Sequence, residues 1–215
     1  MILYDPIHND VKTTPIKWRV KSCFLMRQLK EESSSDLKLA IQKIRELCLD
    51  EGFTVIDAED LTTGRDFLLK IWEIIISVPV GIAVVHKEIS PQTMANIFYE
   101  LGLMQALGKE ILIIEIGSVS LPSDFTRTEY VAYNKKFEER IKKFFTNIQE
   151  RANYYELLAG QVENNPLLAI DYLRRAYLLS GNGELKQKAK RIRKEISFSD
   201  RAKNSVEMLL TSFTK

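Results

Sequence analysis

Asn96-Ile-Phe-Tyr-Glu-Leu-Gly-Leu-Met-Gln-Ala-Leu-Gly-Lys109, followed at once by the apolar run of residues 111–116, decides how the rest of the chain is read. Met94, Ile97, Phe98, Leu101, Met104 and Leu107 recur at helical spacing, Leu103 widens the stripe, and Gly108 can close the helix with a positive φ before a buried strand begins. The segment is a helix-then-strand unit. Glu100 stands three residues from both Ile97 and Leu103, at the rim of the stripe and not in the middle of a solvated face. A carboxylate held there, partly out of water, can have its pKa raised and can steady positive charge developing on a sugar ring. The plainer alternative is a glutamate near a helix start, favoured by the helix dipole.

Working outward, the same alternation repeats. Residues 20–29 offer a first strand ending at Arg27 and Gln28, and after a polar linker Asp36 can cap a helix with Leu37, Ala40, Ile41, Ile44, Leu47 and Cys48 on its apolar face. Gly52 ends that helix, and the β-branched stretch 53–56 reads as a second strand that delivers Asp57, Glu59 and Asp60 to its carboxyl end. A helix is expected over residues 65–77, with Phe67, Leu68, Ile71, Trp72 and Ile75 buried. Pro79 and Gly81 break the chain ahead of a strand at 82–85, and 86–92 reads as a loop. Beyond the 111–116 strand come a loop and a short last strand at 130–133, then Asn134 as the cap of a long helix carrying Phe137, Ile141, Phe144, Phe145 and Ile148.

Strands alternating with helices imply right-handed crossovers and a parallel sheet covered on both faces, which binds ligands beyond the carboxyl ends of its strands. The groups delivered there are Arg27 and Gln28, Asp57 to Asp60, His86 and Lys87, and Asn96 and Glu100. Asn96, one turn before Glu100, faces the same side and can bond a ribose or orient the carboxylate; its alternative is a helix cap. Arg27 and Arg65 can offer bidentate donors to phosphates, the alternative being solvated surface residues. His86 can be catalytic, but a lone histidine at a strand end is more often structural or merely exposed, and it is left out of the main assignment.

The 215 residues carry 31 Lys and Arg against 29 Asp and Glu, a balance that gives no reason to expect a nucleic-acid partner or an anionic membrane surface. Cys23 and Cys48 lack metal-ligand spacing and read as buried thiols in a reducing compartment, so no metal is expected. The start of the chain has no signal-peptide pattern, and the longest apolar stretch, 74–85, is broken by Ser77, Pro79 and Gly81 and is too short for a bilayer. A cytoplasmic protein without a membrane contact is expected. The organisation expected is an N-terminal arm at 1–19, an α/β domain at 20–135 and a helical region at 136–215, within which six basic residues between Lys186 and Lys194 read as a solvated helix face.

Cys23-Phe-Leu-Met, Phe53-Thr-Val-Ile-Asp-Ala-Glu-Asp60, Ile71-Trp-Glu-Ile-Ile75, Gly81-Ile-Ala-Val-Val85 and Asn96-Ile-Phe-Tyr-Glu-Leu-Gly102 with Ala106-Leu-Gly-Lys109 resemble the TIR-like and nucleoside 2-deoxyribosyltransferase-like superfamily of nucleotide-binding domains. Residues 154–196 resemble a tetratricopeptide-like helical hairpin with a following helix, which must pack on neighbours to bury its faces. The resemblance implies a flavodoxin-like sheet with Glu100 acting at an N-glycosidic bond; from their delivery to the strand ends and their chemistry, Arg27, Asp57, Asp60, Arg65 and Asn96 are the residues expected around the nucleotide. It implies NAD or a related nucleotide as substrate, no required cofactor, a role in prokaryotic antiviral defence or signal production, and a homo-oligomer or partner protein engaged through the C-terminal helices. The alternatives are a non-catalytic nucleotide-binding module and a deoxyribosyltransferase-like enzyme. The chain departs from the family in having Gln92-Thr-Met-Ala-Asn96 where deoxyribosyltransferases carry an acidic-Gly-Thr element, and His86-Lys-Glu88 where relatives have an aspartate.

Overall fold

A computed structural model describes residues 4, 10, 16–29, 35–60, 67–121, 125, 129–195, 205–207 and 209–213. Along the chain run β1 (Ser22–Met26), α1 (Ser35–Asp50), β2 (Thr54–Asp57), α2 (Phe67–Ser77), β3 (Val80–His86), α3 (Pro91–Ala106), β4 (Glu110–Ile116), β5 (Tyr130–Ala132), α4 (Phe137–Gln161), α5 (Pro166–Ser180) and α6 (Gly183–Glu195), with 3-10 turns at Ala58–Asp60 and Thr211–Phe213. The described residues fall into two compact units. One, the sheet unit, draws on Ser22–Phe67 and Val80–Thr146; the other, the helical unit, draws on Met1–Lys21, Leu68–Pro79 and Asn147–Lys215.

In the sheet unit all five strands are parallel, in the order β2-β1-β3-β4-β5. This is the flavodoxin-like order, so the chain has the α/β architecture its alternating pattern implies. β1 is buried along its whole length and β3 from Val80 to Val85, because a strand apolar on both sides needs cover on both faces. The chain leaves β1 outward to β2 through α1 and leaves β3 in the opposite direction to β4 through α3. Right-handed crossovers in opposite directions set α1 and α3 on opposite faces.

Local chemistry shapes both helices. α1 buries Leu37, Ala40, Ile44, Leu47 and Cys48, and stops at Gly52, whose φ of 75° lets the Gly52 and Phe53 N–H groups turn back to the carbonyls of Leu49 and Cys48, each at 2.8 Å. Its thiol Cys48 lies against Cys23, and that hydrogen bond together with burial raises the Cys23 pKa; both cysteines are free. On the same side Phe53 meets Phe145 of α4 at 4.9 Å between ring centroids, and Lys43 pairs with Glu138 at 2.9 Å. α3 starts at Pro91, earlier than the sequence pattern suggests, because Ser90 caps it by accepting the Thr93 N–H at 3.2 Å and proline suits the first helical position. The preceding loop is thereby reduced to residues 87–90.

Gly81 lies inside β3 and does not break the chain before it. A Cβ there would overlap the Met104 sulfur and come within 2.9 Å of the methyl carbons of Met104 and Met26. The glycine is the gap into which α3 seats Met104.

The helical unit has its own core, formed by Ala159, Ile170, Leu173, Ala176, Leu185, Ala189, Val206 and Phe213. α5 begins at Pro166 under an Asn165 cap and ends at Gly181 with φ 73°. Arg174, buried on α5, is held by Asp171 through Nε at 3.1 Å and Nη2 at 2.7 Å and lies 4.5 Å from the Trp18 ring centroid. Trp18 Nε1 donates to Thr211 at 3.3 Å, the Lys21 N–H bonds the Leu178 carbonyl at 2.8 Å, and the Arg19 N–H bonds that of Ser77 at 3.0 Å. Residues 16–21 are thus stitched to both α2 and α5. α2 buries Ile71, Trp72, Ile74, Ile75 and Ile76, whereas Leu68, expected inside, is exposed: on so apolar a helix the sequence does not mark which face is covered. No helix among the described residues is long and apolar enough to cross a membrane.

Candidate functional site

The topological switch point lies between β1 and β3, where the chain's crossovers change direction, and the crevice beyond the carboxyl ends of these strands is the place such a sheet leaves open for a ligand. α3 leads away from that edge after a short loop. Ile97, Leu101 and Met104 form its buried stripe, and Glu100 flanks the stripe, half-buried. Met104 seats over Gly81 near the start of β3, so Glu100 stands one turn, about 5.4 Å, closer to the carboxyl edge. Helical side chains lean back toward the helix start, which aims the carboxyl the same way. Among the described residues the Glu100 carboxyl has neither a hydrogen bond nor an ion pair, and burial raises its pKa from 4.5 to about 7. The helix dipole does not account for it, because Glu100 is the tenth residue of α3 and the dipole acts within the first turn.

Asn96 is exposed in the interior of α3, one turn before Glu100, and the cap role belongs to Ser90. Spacing puts Asn96 and Glu100 on one face of the helix.

Beyond β1 and β2 the residues form a closed ionic cluster. Asp57 is fully buried; one of its oxygens accepts from Arg27 Nε at 2.6 Å and Arg45 Nη2 at 2.7 Å, and the other accepts the Glu59 N–H at 3.0 Å. Arg27 Nη1 donates to the Gln28 carbonyl at 3.1 Å and Nη2 pairs with Glu59. Burial works against the Arg27 charge, but Asp57 and Glu59 outweigh it and raise the guanidinium pKa. Arg27 and Asp57, both expected around a nucleotide, are therefore brought together as partners of each other. A phosphate at Arg27 would compete with two carboxylates already in place. Arg45 escaped the sequence reading, because a lone arginine on the α1 surface pattern has no mark of the strand end it reaches. Asp60 closes the 3-10 turn after β2, and Arg65 lies outside the described residues.

His86 is the last residue of β3, opposite Ile116 of β4. Its carbonyl accepts the Ile89 N–H at 3.1 Å, fixing the turn that follows. Its ring nitrogen Nε2 is buried without a hydrogen-bond partner among the described residues. An unbonded buried nitrogen of this kind costs about 1–3 kcal/mol. Burial lowers the His86 pKa, with Glu88 opposing the shift, and so favours the uncharged ring. Among the described residues no group of three His, Cys, Asp or Glu side chains is placed to hold a metal ion.

No protein-family model matches the chain, and none of the curated proteins does. Solved structures resemble it, among them the following two. The CMP N-glycosidase BcmB of Clostridium botulinum matches 57% of this chain and 98% of its own at 21% identity with a TM-score of 0.39. A 2-deoxyribosyltransferase of the psychrotolerant bacterium Bacillus psychrosaccharolyticus matches 53% of this chain and 86% of its own at 14% identity with a TM-score of 0.40. At these values the likeness says nothing about which reaction this chain carries out.

Proposed function

We propose that the chain is an N-glycosidase that cleaves the bond between base and sugar in a nucleotide, with NAD as its substrate and Glu100 as the group that acts at the sugar. The observation that carries this reading is the Glu100 carboxyl, half-buried beside the apolar stripe of α3, without a partner among the described residues and with its pKa raised to about 7 by burial. Departure of the base leaves oxocarbenium-like charge on the sugar, and an ionised carboxylate in a partly dry site stabilises that charge far more than one in water. Nicotinamide leaves NAD from an already cationic state, so Glu100 need not first protonate it. The cost of holding Glu100 away from water is offset by what the carboxylate does in the transition state.

The test is base release, followed by chromatography, from NAD, CMP and deoxynucleosides at low and high protein concentration, beside Glu100→Gln. Nicotinamide release is expected, lost by at least about a hundredfold in Glu100→Gln. Its kcat/KM should rise with pH through about 7, the direction required of a group that works ionised. A profile that falls through that range would make Glu100 a proton donor, and undiminished activity in Glu100→Gln would remove it from the mechanism. Release of base from CMP or from deoxynucleosides alone would replace NAD as the substrate. We further propose self-association through the helical region, for which activity per protomer rising with concentration is the expected sign.

A further inference from the structure

We propose that His86 contacts the substrate, its Nε2 hydrogen-bonding an uncharged group of the bound nucleoside, a sugar hydroxyl or a base amide, and not a phosphate. The inference rests on the function proposed for this site and extends it to a residue which that reading leaves idle. His86 closes β3, one of the two strands that flank the switch point, so its side chain stands at the edge where a flavodoxin-like sheet receives ligands. Its backbone is held twice, by the β4 ladder opposite Ile116 and by the Ile89 N–H on its carbonyl, so the ring is presented from a rigid position.

The ring nitrogen Nε2 is buried and unbonded among the described residues. Nε2 is closed to solvent, so the ring must turn to meet a ligand, and a ligand that then supplies a partner removes that penalty on binding. The kind of partner follows from charge. Burial disfavours the imidazolium, and Glu88, which opposes this, is an exposed residue beside exposed Lys87. A phosphate, which only accepts hydrogen bonds and favours a cationic partner, suits such a ring poorly. A hydroxyl or an amide both donates and accepts within one group, and so fits either tautomer of the uncharged imidazole.

The experiment measures dissociation constants by calorimetry on Glu100→Gln, which keeps the ligand intact, with and without His86→Leu or His86→Gln, for two pairs of probes: CMP with cytidine, and NAD with nicotinamide riboside. His86→Leu is expected to weaken binding up to about tenfold, the worth of one hydrogen bond to an uncharged group, and by the same factor for both members of a pair. His86→Gln, whose amide reaches toward the Nε2 position, is expected to restore most of the loss. Without ligand, His86→Leu should melt no lower than the parent, since it removes an unpaired polar atom. Binding unchanged by His86→Leu, a loss confined to the phosphate-bearing probes, no rescue by His86→Gln, or a fall in the ligand-free melting temperature would each overturn the proposal, as would the absence of binding to all four probes. Binding with the expected His86 dependence but no turnover by the unaltered protein would leave His86 standing and defeat the glycosidase reading alone.

Discussion

Glu100 is the residue at which sequence and structure meet. Its spacing from Ile97 and Leu103 placed it at the rim of an apolar stripe, and it is indeed half-buried there. The depth at which it sits in the helix was not legible, because the Ser90-Pro91 start signal lies well before the apolar spacing begins, and with that start the dipole and cap alternatives for Glu100 and Asn96 fall away. The folded pKa of Glu100, about 7, is above the unfolded value near 4.5, so the folded state binds the proton more tightly. Glu100 is harmless to stability below about pH 4.5, and its ionisation opposes folding progressively as pH rises through about 7. Glu100→Gln should therefore melt like the parent at pH 4 and higher than it at pH 8.5, by a free-energy gap of at most about 3 kcal/mol. Thermal unfolding of both proteins across that range checks it, and a gap that does not open with pH would mean that Glu100 is better solvated than its position implies.

At the scale of elements, the register of α3 on the sheet depends on Gly81. The sequence pattern makes this glycine a break, and it is instead a strand residue whose missing Cβ admits Met104. Helix periodicity shows that Met104 faces inward but not what it meets, since the two residues are far apart along the chain. Gly81→Ala should cost about 1–3 kcal/mol by overpacking. Adding Met104→Ala, which vacates the space, should recover part of that loss, so that the two substitutions are not additive. The pair is checked by denaturant unfolding of the single and double variants. Because Glu100 lies one turn from Met104, Gly81→Ala is also expected to lower any activity that depends on Glu100 by more than its effect on folding.

At the scale of the whole molecule, the chain passes between its two compact units several times, at 21–22, 67–68, 79–80 and 146–147. The helical unit needs Leu68–Pro79 from the middle of the sequence and residues 16–21 from its start, and these are bonded to one another and to α5 through Ser77, Leu178 and Arg174. A chain ended at Thr146 would leave Trp18 without Arg174 and the Lys21 N–H without Leu178. Such a truncation is expected to lose cooperative unfolding and to aggregate, as read by calorimetry and size-exclusion chromatography; a soluble fragment with a sharp transition would show that these ties are dispensable. What the sequence by itself determined was the alternation of strand and helix, the parallel sheet this forces, and the residues that arrive at its carboxyl edge, because periodicity and turn chemistry act over a few residues. Only the tertiary structure decided that Arg27 and Asp57 satisfy each other with Arg45, that a nitrogen of His86 is buried, and that α2 belongs with the C-terminal helices. Each of these depends on groups brought together from distant parts of the chain, where burial and pairing are set by neighbours that local pattern cannot name.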